Sequence, residues 1–137
     1  MALDALARRE HGYYELERKL LSKGFEPSEV DEQLSILVSE GLLDDARFAE
    51  AYVHYRVQKG YGPNRIRAEL RERGIDDAVG ELALQAADFD WASIIKLAWQ
   101  KKFSGPPEDY QEKAKQARFL EYRGFSADSI MRFLAEL

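Results

Sequence analysis

Three helix endings, evenly spaced, constrain this chain more than anything else in it. They read LSKGF at 21–25, RERGI at 71–75 and EYRGF at 121–125, so that Gly24, Gly74 and Gly124 recur at intervals of 50 residues. Each glycine follows Lys or Arg and precedes Phe or Ile. Each has a leucine four positions before it (Leu20, Leu70, Leu120) and another ten positions after it (Leu34, Leu84, Leu134). A basic residue in a last helical turn favours the macrodipole, and glycine takes the left-handed conformation that ends a helix. Three such endings in register are the mark of a repeat architecture.

Between the endings the apolar residues keep helical period, and no stretch alternates as a strand would. A leading helix is expected over 1–11, with Leu3, Leu6 and Ala7 inward. A second spans about 13–23 on Leu16, Leu20 and Leu21. A third opens at Pro27 and buries Val30, Leu34, Leu37 and Val38. A fourth follows Asp44, a good N-cap, through Phe48, Tyr52 and Tyr55 to about Lys59. Pro63 to Arg73 is the fifth, on Ile66 and Leu70. Asp76 caps a sixth with Val79, Leu82, Ala83 and Ala86 inward. Asp90 opens a seventh through Trp91, Ile94, Ile95, Ala98 and Trp99. SGPP, residues 104–107, is the clearest loop. Two helices follow, about 108–123 and one after Ser126 on Ile130, Phe133, Leu134 and Leu137. The fold class is therefore all-α: tandem three-helix, helix-turn-helix-like repeats in an elongated, curved array. The expected division is a leading helix at 1–11, a first repeat at 12–59, a second at 60–103 and a third, with two helices, at 104–137.

Composition narrows the function classes. No cysteine is present, which excludes disulfides and thiolate metal sites and fits a reducing compartment. No apolar run reaches membrane-spanning length. The net charge of −5 argues against a life of bulk attraction to DNA. Its distribution is uneven: residues 1–50 carry 6 basic and 12 acidic side chains (net −6), residues 51–100 carry 7 and 7, and residues 101–137 carry 7 and 6. An acidic first unit and basic later helices suit a partner with patches of both signs.

Nothing in the sequence points to catalysis, a cofactor or a metal. His11 and His54 lack companion ligands at helical spacing and read as surface residues. Asp44 and Asp45 read as a cap and a first-turn acid. GYG at 60–62 lacks the strand and lysine of a phosphate loop. The residues that stand out are basic. Arg56, Lys59, Arg65, Arg67, Arg71 and Arg73 crowd 56–73 with only Glu69 and Glu72 among them. That density favours a face for phosphates or acidic protein surface, against the alternative of a plain solvated face. Lys101, Lys102, Lys113, Lys115, Arg118 and Arg123 form a second, looser group. Tyr61, in a glycine-bounded turn, is open to two readings: surface contact or packing between units. The candidate contacts are Arg56, Lys59, Tyr61, Arg65, Arg67 and Arg71, with Lys113, Lys115 and Arg118 secondary. Charge reversal at Arg65, Arg67 and Arg71 together is expected to weaken binding and leave helicity intact.

LARREHGYYELERKLLSKGF, then GLLDDARFAEAYVHYRVQKGYGPNRIRAELRERGI, then RFLEYRGFS resemble the RecX family of bacterial recombination regulators, in order and over nearly the whole chain. GYGPxxIRxEL with the following RGI is the specific part. Gly12, where a small polar cap is common, and Tyr122, where a basic residue is frequent, depart from the pattern; the latter puts a basic contact of the third unit in doubt. The resemblance implies three tandem three-helix repeats, a curved shape, a cytoplasmic and monomeric protein without catalysis or cofactor, and the RecA filament on single-stranded DNA as partner, with DNA itself touched weakly or indirectly. It implies inhibition of RecA's ATPase, strand-exchange and coprotease functions. The alternative is a helix-turn-helix protein acting on DNA directly.

Overall fold

The computed structural model describes residues 2, 3, 5 and 9–137. Residues 2, 3 and 5 are helical, and eight further helices follow: α1 (Tyr13–Ser22), α2 (Pro27–Ser39), α3 (Asp45–Gln58), α4 (Pro63–Glu72), α5 (Asp77–Ala86), α6 (Trp91–Lys102), α7 (Tyr110–Tyr122) and α8 (Ala127–Ala135). There is no strand among the described residues, and no helix there is long and apolar enough to cross a membrane.

The ends of these helices are set by local chemistry. Asp44 accepts from the amides of Ala46 and Arg47, Asp76 from Ala78, Asp90 from Ser93, Asp109 from Glu112 and Ser126 from Ser129. Each bond satisfies a first-turn donor that has no intrahelical partner. At the three repeated endings the chain turns back through the glycine. Phe25, Ile75 and Phe125 then donate their amides to the carbonyls of Leu20, Leu70 and Leu120, five residues earlier.

The helices form three separate cores. Ala5, Leu16, Leu20, Val30, Leu34, Leu37 and Leu43 make the first. Phe48, Ala49, Val53, Ile66, Leu70, Ile75, Ala83 and Leu84 make the second, from α3, α4 and α5. Ile95, Ala98, Trp99, Leu120, Phe125, Ile130 and Leu134 make the third, from α6, α7 and α8. This grouping differs from the expected division at 12, 60 and 104. The helix 45–58 joins 63–72 and 77–86, not the two helices before it. The repeated glycine is the turn between the second and third helices of each unit, and it carries no information about which long connection separates units.

Small units leave much apolar surface outside. Leu3, Leu21, Val38, Leu82, Ala86 and Leu137, all expected inward, are exposed, whereas Leu43, Gly80 and Leu84 are buried. A helix in a three-helix unit touches neighbours along one narrow stripe, so residues at the stripe's edge stay in water. Leu6 and Ala7 lie outside the described residues. His11 reverses its expectation: it is 2% exposed, and its Nδ1 donates to the Arg9 carbonyl at 3.1 Å. Burial lowers its pKa below the ordinary value. His54 is exposed and meets the Phe89 ring edge-on. The whole chain exposes 8708 Å², against about 7,300 Å² for a compact domain of its 15.8 kDa. The excess is that of an elongated array.

Units meet end to end through their middle helices. The amides of Gly62 and Asn64, at the start of α4, donate to the carbonyls of Arg123 (2.8 Å) and Gly124 (2.9 Å) at the end of α7. Orphan donors of one helix thus satisfy orphan acceptors of another. A Cβ on Gly124 would lie 2.6 Å from the Arg65 amide nitrogen, and one on Gly74 would lie 2.5 Å from Tyr14 Cβ. The turn after α4 therefore sits on the start of α1 as the turn after α7 sits on the start of α4. At this first joint the Tyr13 amide is taken by Asp45 Oδ1 at 2.7 Å, so α3 supplies the polar cap that Gly12 lacks.

These contacts rank three substitutions. Gly24→Ala is expected to cost about 1 kcal/mol, from left-handed strain alone. Gly74→Ala and Gly124→Ala are expected to cost about 3 kcal/mol each, from strain plus collision at a joint. Denaturant unfolding of the three variants measures the order.

Candidate partner-binding surface

The second joint gathers most of the charge singled out in the sequence. Tyr61, in the turn before α4, is half-buried there. Its ring has the guanidinium carbons of Arg56, Arg65 and Arg123 at 3.9, 4.5 and 4.6 Å from its centroid. The negative face of an aromatic ring attracts such cations, the more so when water is partly excluded. Tyr61 thus packs between units, and the packing itself is made with basic residues.

One carboxylate anchors the group. Glu69 accepts from Arg56 through both Nε (2.8 Å) and Nη2 (2.9 Å), from Arg65 Nε at 3.2 Å and from the Tyr52 hydroxyl at 2.9 Å. Burial pushes the Glu69 carboxyl up, and the hydrogen bonds from Arg56, Tyr52 and Arg65 outweigh it, so its pKa lies below the ordinary carboxylate value. Burial and the bond to Glu69 push the Tyr52 phenol up to about 12. Arg73 lies over the Tyr52 ring at 4.8 Å and donates to the Glu69 main-chain carbonyl. Arg65 also donates to the Tyr122 carbonyl, and Arg123 to the Lys59 carbonyl. Both bonds tie the third unit to the second.

The remaining arginines of the stretch are paired elsewhere. Arg67 makes an ion pair with Glu81 and a hydrogen bond with Asn64, and Arg71 pairs with Asp77. Four of the six basic residues at 56–73 are therefore in ion pairs, and two of the acids stand on α5, outside the window in which acids were counted. This removes the premise that the stretch is unpaired. It also changes the expected outcome of reversing Arg65, Arg67 and Arg71: three ion pairs would break, so loss of binding in that variant would not isolate a contact.

What stays free lies at the rim of the joint and along α7. Lys59 is exposed, with its ammonium 5.6 Å from the Tyr55 ring centroid. Lys115, Arg118 and Tyr122 are exposed and spaced by three and four residues, so they share one face of α7. Lys115 and Arg118 make no ion pair among the described residues. Tyr122 is 74% exposed, and its ring lies 5.0 Å from the Arg65 guanidinium. The departure at position 122 therefore keeps a cation at this spot, held from the neighbouring unit. Lys113 is half-buried and falls on another face of α7. Sequence reasoning missed the parts played by Glu69, Tyr52, Tyr122 and Arg123. The Arg123 signal was present, as the residue before the third repeated glycine.

The α7 face is held in place from below. Gln116, buried, accepts from the Trp99 indole nitrogen at 2.8 Å and donates to the Gly105 carbonyl at 3.1 Å. One amide thus fixes α7 to α6 and to the SGPP loop, with its polar atoms satisfied. Asp44 and Asp45 are engaged as caps, and among the described residues no cluster of three or more His, Cys, Asp or Glu is placed to hold a metal.

Glu69→Gln is expected to destabilise the chain by about 2 kcal/mol at neutral pH, since it removes a charged acceptor from three donors. A carboxyl with a lowered folded pKa stabilises above its ordinary value of 4.5 and loses that contribution as pH falls through the folded value. The gap between wild type and Glu69→Gln is therefore expected to be full above pH 4.5 and to close in more acid solution, measured by urea unfolding at stepped pH.

Three family models match the chain: RecX, first three-helix domain, over residues 1–35; RecX, second three-helix domain, over 44–84; and RecX, third three-helix domain, over 90–134. The last two ranges enclose the second and third cores. The chain is 51% identical to the regulatory protein RecX of Pseudomonas tolaasii over 135 residues, covering 98% of this chain and 87% of that one. It is 50% identical to that of Pseudomonas fluorescens over the same shares. Among solved structures, RecX from Lactobacillus salivarius superposes with a TM-score of 0.82 at 28% identity, covering 99% of this chain and 91% of the other. The three cores, their order and these matches lead to one conclusion: the chain belongs to the RecX family of regulatory proteins.

Proposed function

We propose that this chain is a negative regulator of homologous recombination and of the SOS response, acting on the RecA nucleoprotein filament. In this reading it is a cytoplasmic monomer whose array curves to lie in the filament groove and spans neighbouring protomers. There it hinders the rearrangement that ATP turnover requires, and with it strand exchange and coprotease activity. Single-stranded DNA is met through the filament and not as a free ligand. Membership of the RecX family over all three units supports the reading most. The exposed stripe of Lys115, Arg118 and Tyr122, continued at the joint by Lys59, supplies a surface for acidic protein or phosphate.

Of the residues singled out in the sequence, Lys59, Lys115 and Arg118 are proposed to touch the partner directly. Arg56, Tyr61 and Arg65 are proposed to hold the second and third units at the angle the groove needs. Arg67 and Arg71 take the same role within the second unit, and Lys113 is peripheral.

The test is RecA's ATPase on single-stranded DNA, titrated with this protein beside binding to the same DNA alone. Inhibition is expected at concentrations that leave naked DNA unbound. The double reversal Lys115→Glu with Arg118→Glu is expected to weaken inhibition about tenfold with unchanged unfolding, since neither side chain is in an ion pair among the described residues. Full inhibition by that variant would remove the α7 face from the contact. Tight, salt-sensitive binding to naked DNA with no effect on the ATPase would overturn the assignment.

A further inference from the structure

Among the described residues, the repeated helix ending is used twice and left unused once. After α4, Ile75 is 4% exposed and its turn sits on the start of α1. After α7, Phe125 is 1% exposed, and its turn hands two carbonyls to the start of α4. After α1 the same turn forms, with the Phe25 amide donating to Leu20. Here Phe25 is 44% exposed, and a methyl built on Gly24 would meet no atom of the described residues within 4 Å.

We propose that the Lys23–Phe25 turn is a docking surface for the N-terminus of a partner protein's α-helix, which would bind there as the start of α4 binds the end of α7. The occupant's backbone amides would donate to the Lys23 and Gly24 carbonyls, and its first apolar residues would cover Phe25. An open groove of ≈ 530 Å³ beside the turn, lined by Leu20, Phe25, Glu29, Val30 and Glu32, gives those residues room. Glu29 and Glu32 are exposed along it, Glu26 is exposed next to Phe25 in the chain, and none of the three makes an ion pair among the described residues. The carbonyl end of α1 adds negative partial charge, which Lys19 and Lys23 offset only in part. The fitting helix therefore starts with a glycine or other small residue, as α4 does at Gly62, and carries basic residues in its first turns, as α4 carries Arg65 and Arg67.

Among the described residues, the middle helices of a second copy do not offer such an end. The starts of α1 and α4 are covered by the joints. The start of α7 is capped by its own Asp109, and repeat spacing puts Glu112 where α4 has Gly62.

The partner in the proposed function is the first probe, and the inference rests on that reading only for this choice. Full-length protein carrying a photocrosslinking phenylalanine analogue at position 25 is irradiated with the RecA filament on single-stranded DNA. Phe25→Glu is assayed for filament binding in parallel, its folding checked by unfolding. Crosslinks to a helix N-terminus and binding weakened about tenfold are expected, as for loss of a central apolar anchor. Unchanged binding by Phe25→Glu with no crosslink would overturn the docking surface and leave the proposed function standing. If wild type does not bind the filament, that function falls, and an isotope-labelled sample of the full chain titrated with a peptide of residues 60–73 decides the inference. Amide shifts confined to 23–33 sustain it; their absence refutes it. A dimer that Phe25→Glu abolishes, seen by sedimentation, would also refute it, because the occupant would then be a second copy.

Discussion

Two backbone hydrogen bonds, from Gly62 to Arg123 and from Asn64 to Gly124, decide how the second and third units meet. A helix leaves donors unpaired at its start and acceptors unpaired at its end, and both must be satisfied where water is excluded. Here the two deficits meet each other. The contact requires that backbone approach backbone, which is why glycine stands on both sides. Side chains around this contact reinforce it.

That reinforcement is electrostatic, with Tyr61 and Glu69 as its centres. Three guanidinium groups surround one ring, and one carboxylate takes two of them. Placing cations together costs repulsion, which the ring faces and the carboxylate offset. The arrangement leaves excess positive charge at the joint, and the exposed members of the α7 face extend it outward. The proposed contact surface thus borders the basic residues that hold the joint. Arg56 and Arg65 are consumed by the joint, while Lys59, Lys115 and Arg118 remain available to a partner.

The sequence disclosed the helix endings and caps well, because each rests on contacts within five residues. Gly24, Gly74 and Gly124, Asp44, Asp76, Asp90 and Ser126 all act as their local chemistry requires. The grouping of helices was less legible, since a turn looks the same whichever neighbours its helices choose. Buried positions were over-assigned at Leu21, Val38 and Leu82, where the helical period was right but the neighbour was missing. The fate of the arginines was hidden most deeply. Arg67 and Arg71 find their acids on α5, and Tyr61 finds Arg123 sixty-two positions away, beyond any window of local charge. Membership of the family was legible in GYGPNRIRAEL; the side chains that make the joint were not.

The joints also give the molecule a direction. Read through space, α7 ends on the start of α4, and α4 ends on the start of α1, so the three middle helices follow one another head to tail, opposite to the order of the chain. The series therefore leaves a negative pole at the end of α1, in the acid-rich first unit, and a positive pole at the start of α7, at Asp109. A strap of this kind has unlike ends. Laid along any partner that is itself polar, it has one favoured orientation, and turning it end for end would set both poles against the wrong charge.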